Sequence, residues 1–124
     1  MLASEIEITE VWFGRVFVPR TDAVIGQSFR TYGEFARCEA DLLSQISIHR
    51  PGALLDVGAN IGAISVPWAL QHKDKIVYAF EPQMRIYQIL CANSLLNSAG
   101  NIQTFPYAVG DKLGLARFPQ PSLA

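Results

Sequence analysis

The chain reads as an α/β domain: a parallel sheet of about three core strands with flanking helices and a small N-terminal strand and helix extension. Three observations predict it. Short apolar runs, Ala53-Leu54-Leu55-Asp56-Val57 and Ile76-Val77-Tyr78-Ala79-Phe80, are too brief for helices and end at Gly58 and at Glu81-Pro82. Helix-period segments alternate with these runs, and such alternation implies parallel strands joined by right-handed crossovers. Half of the 124 residues are hydrophobic, ample for one packed domain and too short a chain for two.

Each element follows from its local pattern. Between Glu5 and Val18, Ile6, Ile8, Val11, Phe13, Val16, Phe17 and Val18 predict one or two short strands, with a turn at Gly14-Arg15. Thr21 or Asp22 then caps a short helix running to about Arg30, with Ile25 and Phe29 on one face and Gly33 as its break. From Glu34 to Ile48 the residues Phe35, Cys38, Leu42, Leu43 and Ile46 form one helical stripe, and Pro51-Gly52 stops the helix. After the first buried strand, residues Ile61 to Gln71 predict a helix that accommodates Pro67 near its first turns. Lys75 to Phe80 is the second buried strand. Gln83 to Asn97 is a helix with Tyr87, Leu90, Cys91 and Leu95 on one side, and Ile102 to Val109 is the third strand. The predicted division is an N-terminal cap over 1–50, a βαβαβ unit over 51–111 and a tail over 112–124.

Composition narrows the partners. With 10 basic and 11 acidic residues the net charge is -1, and no basic stripe is present to follow a nucleic-acid backbone. Charged or polar residues interrupt every apolar stretch before the roughly 20 residues a bilayer requires. Glu5 and Glu7 at the start argue against a secretory leader. Cys38 and Cys91 form no Cys-x-x-Cys pair and have no histidine at metal spacing, which predicts reduced core thiols, no metal and a cytoplasmic setting. A small molecule or another protein is the expected partner.

Chemistry concentrates in Leu54-Leu55-Asp56-Val57-Gly58-Ala59-Asn60-Ile61-Gly62. A strand delivers a carboxylate, then small residues, then a helix start, at the sheet edge where open α/β folds bind ligands. A dinucleotide fingerprint requires glycine at positions 58, 60 and 63, and Asn60 and Ala63 break it. The phosphate-cradling Gly-x-x-x-x-Gly-Lys pattern is absent. Asp56 repels a pyrophosphate and suits a cationic amino group, or else caps backbone N–H groups. Glu81, at the end of the neighbouring strand, can accept both hydrogen bonds of a ribose diol. Together these features fit S-adenosylmethionine, with its ammonium, sulfonium and ribose. Asn60 also suits a left-handed backbone position. His49 and His72 lie near helix ends with no acidic partner that would make either a base, and no catalytic residue is assigned.

Asp-Val-Gly-Ala-Asn-Ile-Gly followed by Ala-Phe-Glu-Pro-Gln resembles the FkbM-type family of Rossmann-like, class I methyltransferases. Tyr32-Gly33-Glu34-Phe35 with Glu39, Ala92-Asn93 with Leu96-Asn97, and Tyr107-Ala108-Val109-Gly110-Asp111 extend the similarity from about Val16 to Phe118. The resemblance implies methyl transfer from S-adenosylmethionine to a hydroxyl of a small molecule, sugar or lipid. It implies that Asp56, Gly58, Ala59, Asn60 and Gly62 hold the methionine end and that Glu81 grips the ribose. Pro82 and Gln83 would line the adenine, Ala108 would offer it backbone groups, and Tyr32 and Glu34 would cover the cofactor.

A complete domain of this kind needs about six or seven strands. The tail from Lys112, with Gly114, Pro119 and Pro121, supplies none, and the acidic residues expected after a fourth strand are missing. A truncated chain is therefore expected. The first core strand would be a hydrophobic edge that a homo-oligomer or a partner chain covers. The alternative function is a noncatalytic cofactor-binding or interaction module pairing through that edge.

Overall fold

A computed structural model describes residues 5–119, so the ends of the sequence, including the tail from Gln120 to Ala124, lie outside the described residues. The elements run β1 (Ile6–Val11), β2 (Gly14–Pro19), α1 (Ile25–Tyr32), α2 (Arg37–Ile48), β3 (Leu54–Val57), α3 (Ser65–Gln71), β4 (Val77–Phe80), α4 (Met84–Leu96) and β5 (Ile102–Phe105). β1 and β2 form an antiparallel hairpin. The central sheet is parallel, in the order β3-β4-β5, with Leu54 opposite Val77 and Val77 opposite Ile102. The prediction of an α/β fold with a parallel three-stranded sheet holds, and β3 lies at its edge as expected.

Strand alternation sorts the sheet into two unlike faces. Leu54, Asp56, Val77, Ala79, Ile102 and Thr104 share the face on which α3 and α4 lie. There Val77 and Ala79 pack with Val66, Trp68, Ala69 and Leu90 in one core. A second core lies beyond α4, where Val16 and Val18 of the hairpin and Phe29 of α1 meet Ile61, Ile86 and Ile89. The other sheet face carries Leu55, Val57, Tyr78, Phe80 and Phe105. Leu55 is 65% exposed and Val57 60%, although the apolar run 53–57 predicts a strand buried on both sides. Phe80 and Phe105 stack there with ring centroids 5.1 Å apart. No described helix covers that face.

Several boundaries shift for physical reasons. The hairpin turns at Trp12-Phe13, two residues before the expected Gly14-Arg15. Gly14 has a φ of 150°, and a Cβ there would strike the side chain of Asn97. Asp22 does not cap α1 directly; its Oδ1 accepts the Val24 N–H at 2.9 Å and the helix opens at Ile25. Arg30 staples this region, donating to the Pro19 and Asp22 carbonyls and pairing with Glu7 at 3.1 Å. β5 stops at Phe105, because Pro106 has no N–H to continue the ladder.

The predicted α2 stripe holds at Leu43, which packs against the first core, and is corrected elsewhere. Cys38, Leu42 and Ile46 face outward, whereas Ala40 is buried with Leu43, Ser44 and Ser47 half-buried beside it. Small and hydroxyl side chains let α2 approach α3, where Ser47 Oγ accepts from Trp68 Nε1 at 2.9 Å and Ser44 Oγ meets His72 Nε2 at 2.8 Å. Cys38 is thus an exposed thiol and Cys91 only half-buried, so neither is the core thiol expected. The α4 stripe shifts likewise. Leu95 is exposed, and Ile86, Ile89, Leu90 and Asn93 point inward. At the opposite end of the sheet, Asn101 Nδ2 donates to the carbonyls of Ala69, His72 and Lys75 within 3.1 Å, tying the α3–β4 turn to the start of β5.

Candidate functional site: the loop after β3

The chain leaves β3 through a bend pinned to the neighbouring strand. The N–H groups of Gly58 and Ala59 both donate to the Phe80 carbonyl at 2.9 Å. Positive φ then recurs at alternate residues: Gly58 (78°), Asn60 (53°) and Gly62 (96°). Asn60 tolerates this conformation, with its Oδ1 accepting the Ile61 N–H at 2.9 Å. Gly62 N–H donates to the Ala59 carbonyl at 3.0 Å, closing a turn. The two glycines serve different ends. A Cβ at Gly62 would lie 2.9 Å from Val66 Cγ2 and 3.2 Å from Leu90 Cδ1, so Gly62 lets the loop press onto α3 and α4. A Cβ at Gly58 would meet nothing within 4 Å, leaving open space over the bend.

The expected helix from Ile61 begins only at Ser65, because the left-handed Gly62 interrupts helical backbone. Pro67 is the third residue of α3, where its missing N–H costs no helical bond.

Two carboxylates flank this loop. Strand register places Asp56 beside Ala79, and Glu81 follows Phe80, so alternation puts both on the helix-covered side. Glu81 is 5% exposed. Its Oε1 accepts the Asn60 N–H at 3.1 Å and its Oε2 the Gln83 N–H at 2.9 Å, while its own N–H donates to the Phe105 carbonyl. Asp56 accepts a 2.5 Å hydrogen bond from Ser65 Oγ. Burial pushes the Asp56 carboxyl above its ordinary pKa, and hydrogen bonds from the Ser65 hydroxyl and backbone pull against that rise. The bond ties Asp56 to the first residue of α3 through that residue's hydroxyl, and no side chain caps the helix, whereas Glu81 is no solvated surface residue.

The structure therefore brings Gly58, Ala59, Asn60, Gly62, Glu81 and Gln83 together, with Pro82 in the turn between Glu81 and Gln83. Ala108 lies in the exposed segment after β5. Tyr32, 77% exposed, ends α1. Glu34 follows it, pairing with Arg37 at 3.4 Å and accepting the Ser28 hydroxyl at its carbonyl. Sequence reasoning missed two supports of the loop. Ser65 anchors Asp56, and Asn93 donates from Nδ2 to the Ile61 carbonyl at 2.8 Å. The available clue to Asn93 was a polar residue three and four positions beyond Leu90 and Ile89 on an inward stripe. Among the described residues, no cluster of His, Cys, Asp and Glu is arranged to hold a metal ion, and no helix is long and apolar enough to cross a membrane.

No protein-family model matches the chain. Over 64 residues it is 36% identical to cobalt-precorrin-6B C(15)-methyltransferase (decarboxylating) from Salmonella typhimurium, and equally to the Salmonella typhi protein of that name. The matched segment is 52% of this chain and 33% of each relative, so the chain spans about a third of the curated relatives it matches. Among solved structures, TYW2 from M. jannaschii in complex with AdoMet superposes with a TM-score of 0.62 at 23% identity, over 81% of this chain and 42% of that one. A SAM-dependent methyltransferase from Agrobacterium tumefaciens gives a TM-score of 0.61 at 16% identity, over 82% of this chain and 32% of that one. What these structures establish is the fold: the chain has the Rossmann-like α/β layout found in part of each of those larger chains.

Proposed function

We propose that this chain forms the S-adenosylmethionine-binding part of a methyltransferase, with the cofactor seated over the 58–62 bend and against Glu81. The observation that carries this reading is the buried Glu81 carboxylate at the tip of β4, tied to the Asn60 N–H of the glycine loop. Each Glu81 oxygen accepts one backbone N–H and retains a lone pair that a ribose hydroxyl can use. The open space above Gly58 admits a ligand close to the backbone, as the cradle requires.

Gly58, Ala59, Asn60 and Gly62 would hold the methionine end, and Pro82, Gln83 and Ala108 would border the adenine. Asp56 would hold the cationic end electrostatically, from its place under the loop. Tyr32 and Glu34 would cover the cofactor from the α1–α2 connection. When bound, the cofactor supplies an electrophilic methyl group on a sulfonium. The chain's own contribution is then to bind it rigidly and to present that methyl to an acceptor in one orientation.

The finer reading, an FkbM-type enzyme methylating a hydroxyl of a small molecule, sugar or lipid, is supported by Asp56–Gly62 and Ala79–Gln83 with their flanking motifs. The curated relatives are C-methyltransferases by name, so acceptor assays with hydroxyl and carbon nucleophiles decide between the two. A second reading is an interaction module that pairs through the β3 edge, and the exposure of Leu55 and Val57 favours it.

Calorimetric titration with S-adenosylhomocysteine tests the proposal. The protein is expected to bind it and not NAD, and Glu81→Gln, which loses charge-assisted acceptance, should weaken binding about ten- to a hundredfold. Unchanged affinity in Glu81→Gln, or no binding by the unmodified protein, would overturn it.

A further inference from the structure

Helix α4 carries two asparagines one turn apart, and their side chains take the part of a missing strand. Asn93 Oδ1 accepts the Phe17 N–H at 2.7 Å, and its Nδ2 donates to the Phe17 carbonyl at 3.2 Å. Asn97 Oδ1 accepts the Arg15 N–H at 3.2 Å, and its Nδ2 donates to the Arg15 carbonyl at 2.7 Å. The spacing explains why this works. Four helical residues rise about 6 Å, close to the roughly 6.7 Å between alternate residues of a strand. Two primary amides therefore present one donor and one acceptor each to the outer edge of β2, as a paired strand would. Gly14 completes the fit, since any side chain there would collide with Asn97.

The two asparagines differ in their remaining donation and in burial. The remaining donation from Asn97 goes to the Asn93 carbonyl in its own helix, at 2.9 Å. That of Asn93 goes out of the helix to the Ile61 carbonyl, within the glycine loop, at 2.8 Å. Asn93 is fully buried, so water cannot replace either partner. The loop is consequently held at two points: Glu81 grips the Asn60 N–H from the sheet side, and Asn93 grips the Ile61 carbonyl from the helix side.

We propose that Asn93 is a positioning residue for cofactor binding, transmitting the docking of the β1–β2 hairpin to the conformation of the 58–62 loop. This rests on the reading that the loop binds S-adenosylmethionine, and it adds a structural determinant that touches no cofactor atom. It predicts that hairpin and loop open as one unit, although all of α1, α2 and β3 lie between them in sequence.

Asn93→Asp and Asn97→Asp make a matched pair. Each keeps an acceptor for the β2 N–H and loses its donors, but only the first releases Ile61. At temperatures where both are folded, Asn97→Asp should lower the thermal midpoint and leave S-adenosylhomocysteine affinity within about twofold. Asn93→Asp should weaken that affinity about tenfold or more, because its buried donations to the Phe17 and Ile61 carbonyls are both lost. Equal effects of the two variants on affinity, or wild-type affinity in Asn93→Asp, would overturn the proposal. Native-state hydrogen exchange on the unmodified protein supplies a second arm that needs neither variant nor ligand. The Phe17, Asn60 and Ile61 amides should share one opening equilibrium and one denaturant dependence. Loop amides that stay protected after Phe17 has opened would also refute it. Should the unmodified protein fail to bind S-adenosylhomocysteine, the cofactor reading falls, and the exchange arm still decides whether Asn93 links hairpin and loop.

Discussion

The two faces of the central sheet are made of similar residue types and have opposite fates. On the covered face Val77 and Ala79 are sealed by α3 and α4, and the loop after β3 is drawn down by Gly62 against Val66 and Leu90. On the open face Leu55 and Val57 are largely exposed beside the Phe80–Phe105 stack. Apolar content alone therefore does not distinguish a strand buried on one side from one buried on both. What distinguishes them is whether a helix is available to each face. All four described helices lie with the covered face or beyond it.

The largest expected contrast is between Leu90→Ala and Leu55→Ser. Leu90 is completely buried between loop and sheet, and its truncation should cost about 2–5 kcal/mol in urea unfolding. Leu55→Ser on the open face should stay within about 0.5 kcal/mol of the parent. A cost for Leu55→Ser like that for Leu90→Ala would mean that the open face is covered in solution.

The loop glycines sharpen the same comparison at smaller scale. Gly62→Ala meets both a left-handed φ and a 2.9 Å contact, and should lose about 2 kcal/mol. Gly58→Ala meets only the left-handed φ and should lose about 1 kcal/mol. Equal losses would show that crowding from the covered side contributes nothing at Gly62.

The smallest effect is expected at His72, in the outer layer of the covered side between α2 and α3. Burial, then the charge of Lys75, hold its pKa below the ordinary value, with Asp74 opposing. The folded state thus binds fewer protons there than the unfolded state. Its contribution is fully present above about pH 6.5 and is lost as pH falls through the depressed value. The thermal midpoint should therefore decline on acidification below about pH 6.5, and His72→Gln should flatten that decline. A midpoint that rises on acidification in the parent and not in the variant would reverse the assignment.

Much of this architecture was legible in the sequence because short apolar strands and their breakers are local features. Pro51-Gly52, Gly58 and Glu81-Pro82 mark helix and strand ends that the structure reproduces within a few residues. The loop was legible for the same reason: one segment contains Gly58, Asn60 and Gly62, and the strand ends bring Glu81 to it. What could not be read are features fixed by distant partners. The inward face of α2 is set by Trp68 and His72 meeting Ser47 and Ser44 beside Leu43, not by Leu42 or Ile46. The Asn93 and Asn97 clasp joins residues 76 and 82 positions apart. The exposure of Leu55 depends on which elements share its face, a property that no window of sequence contains.

Asn101 carries a consequence for the order of assembly. Its amide nitrogen gathers carbonyls from residues 26 to 32 positions earlier, at the turn between α3 and β4. The Lys75 N–H reaches the His72 carbonyl within that turn, and the further donor that Asn101 brings to its carbonyls arrives only with the start of β5. The first crossover is therefore not a self-sufficient folding unit, and a nascent chain ending before residue 101 should keep this corner frayed, however well β3 and β4 have paired.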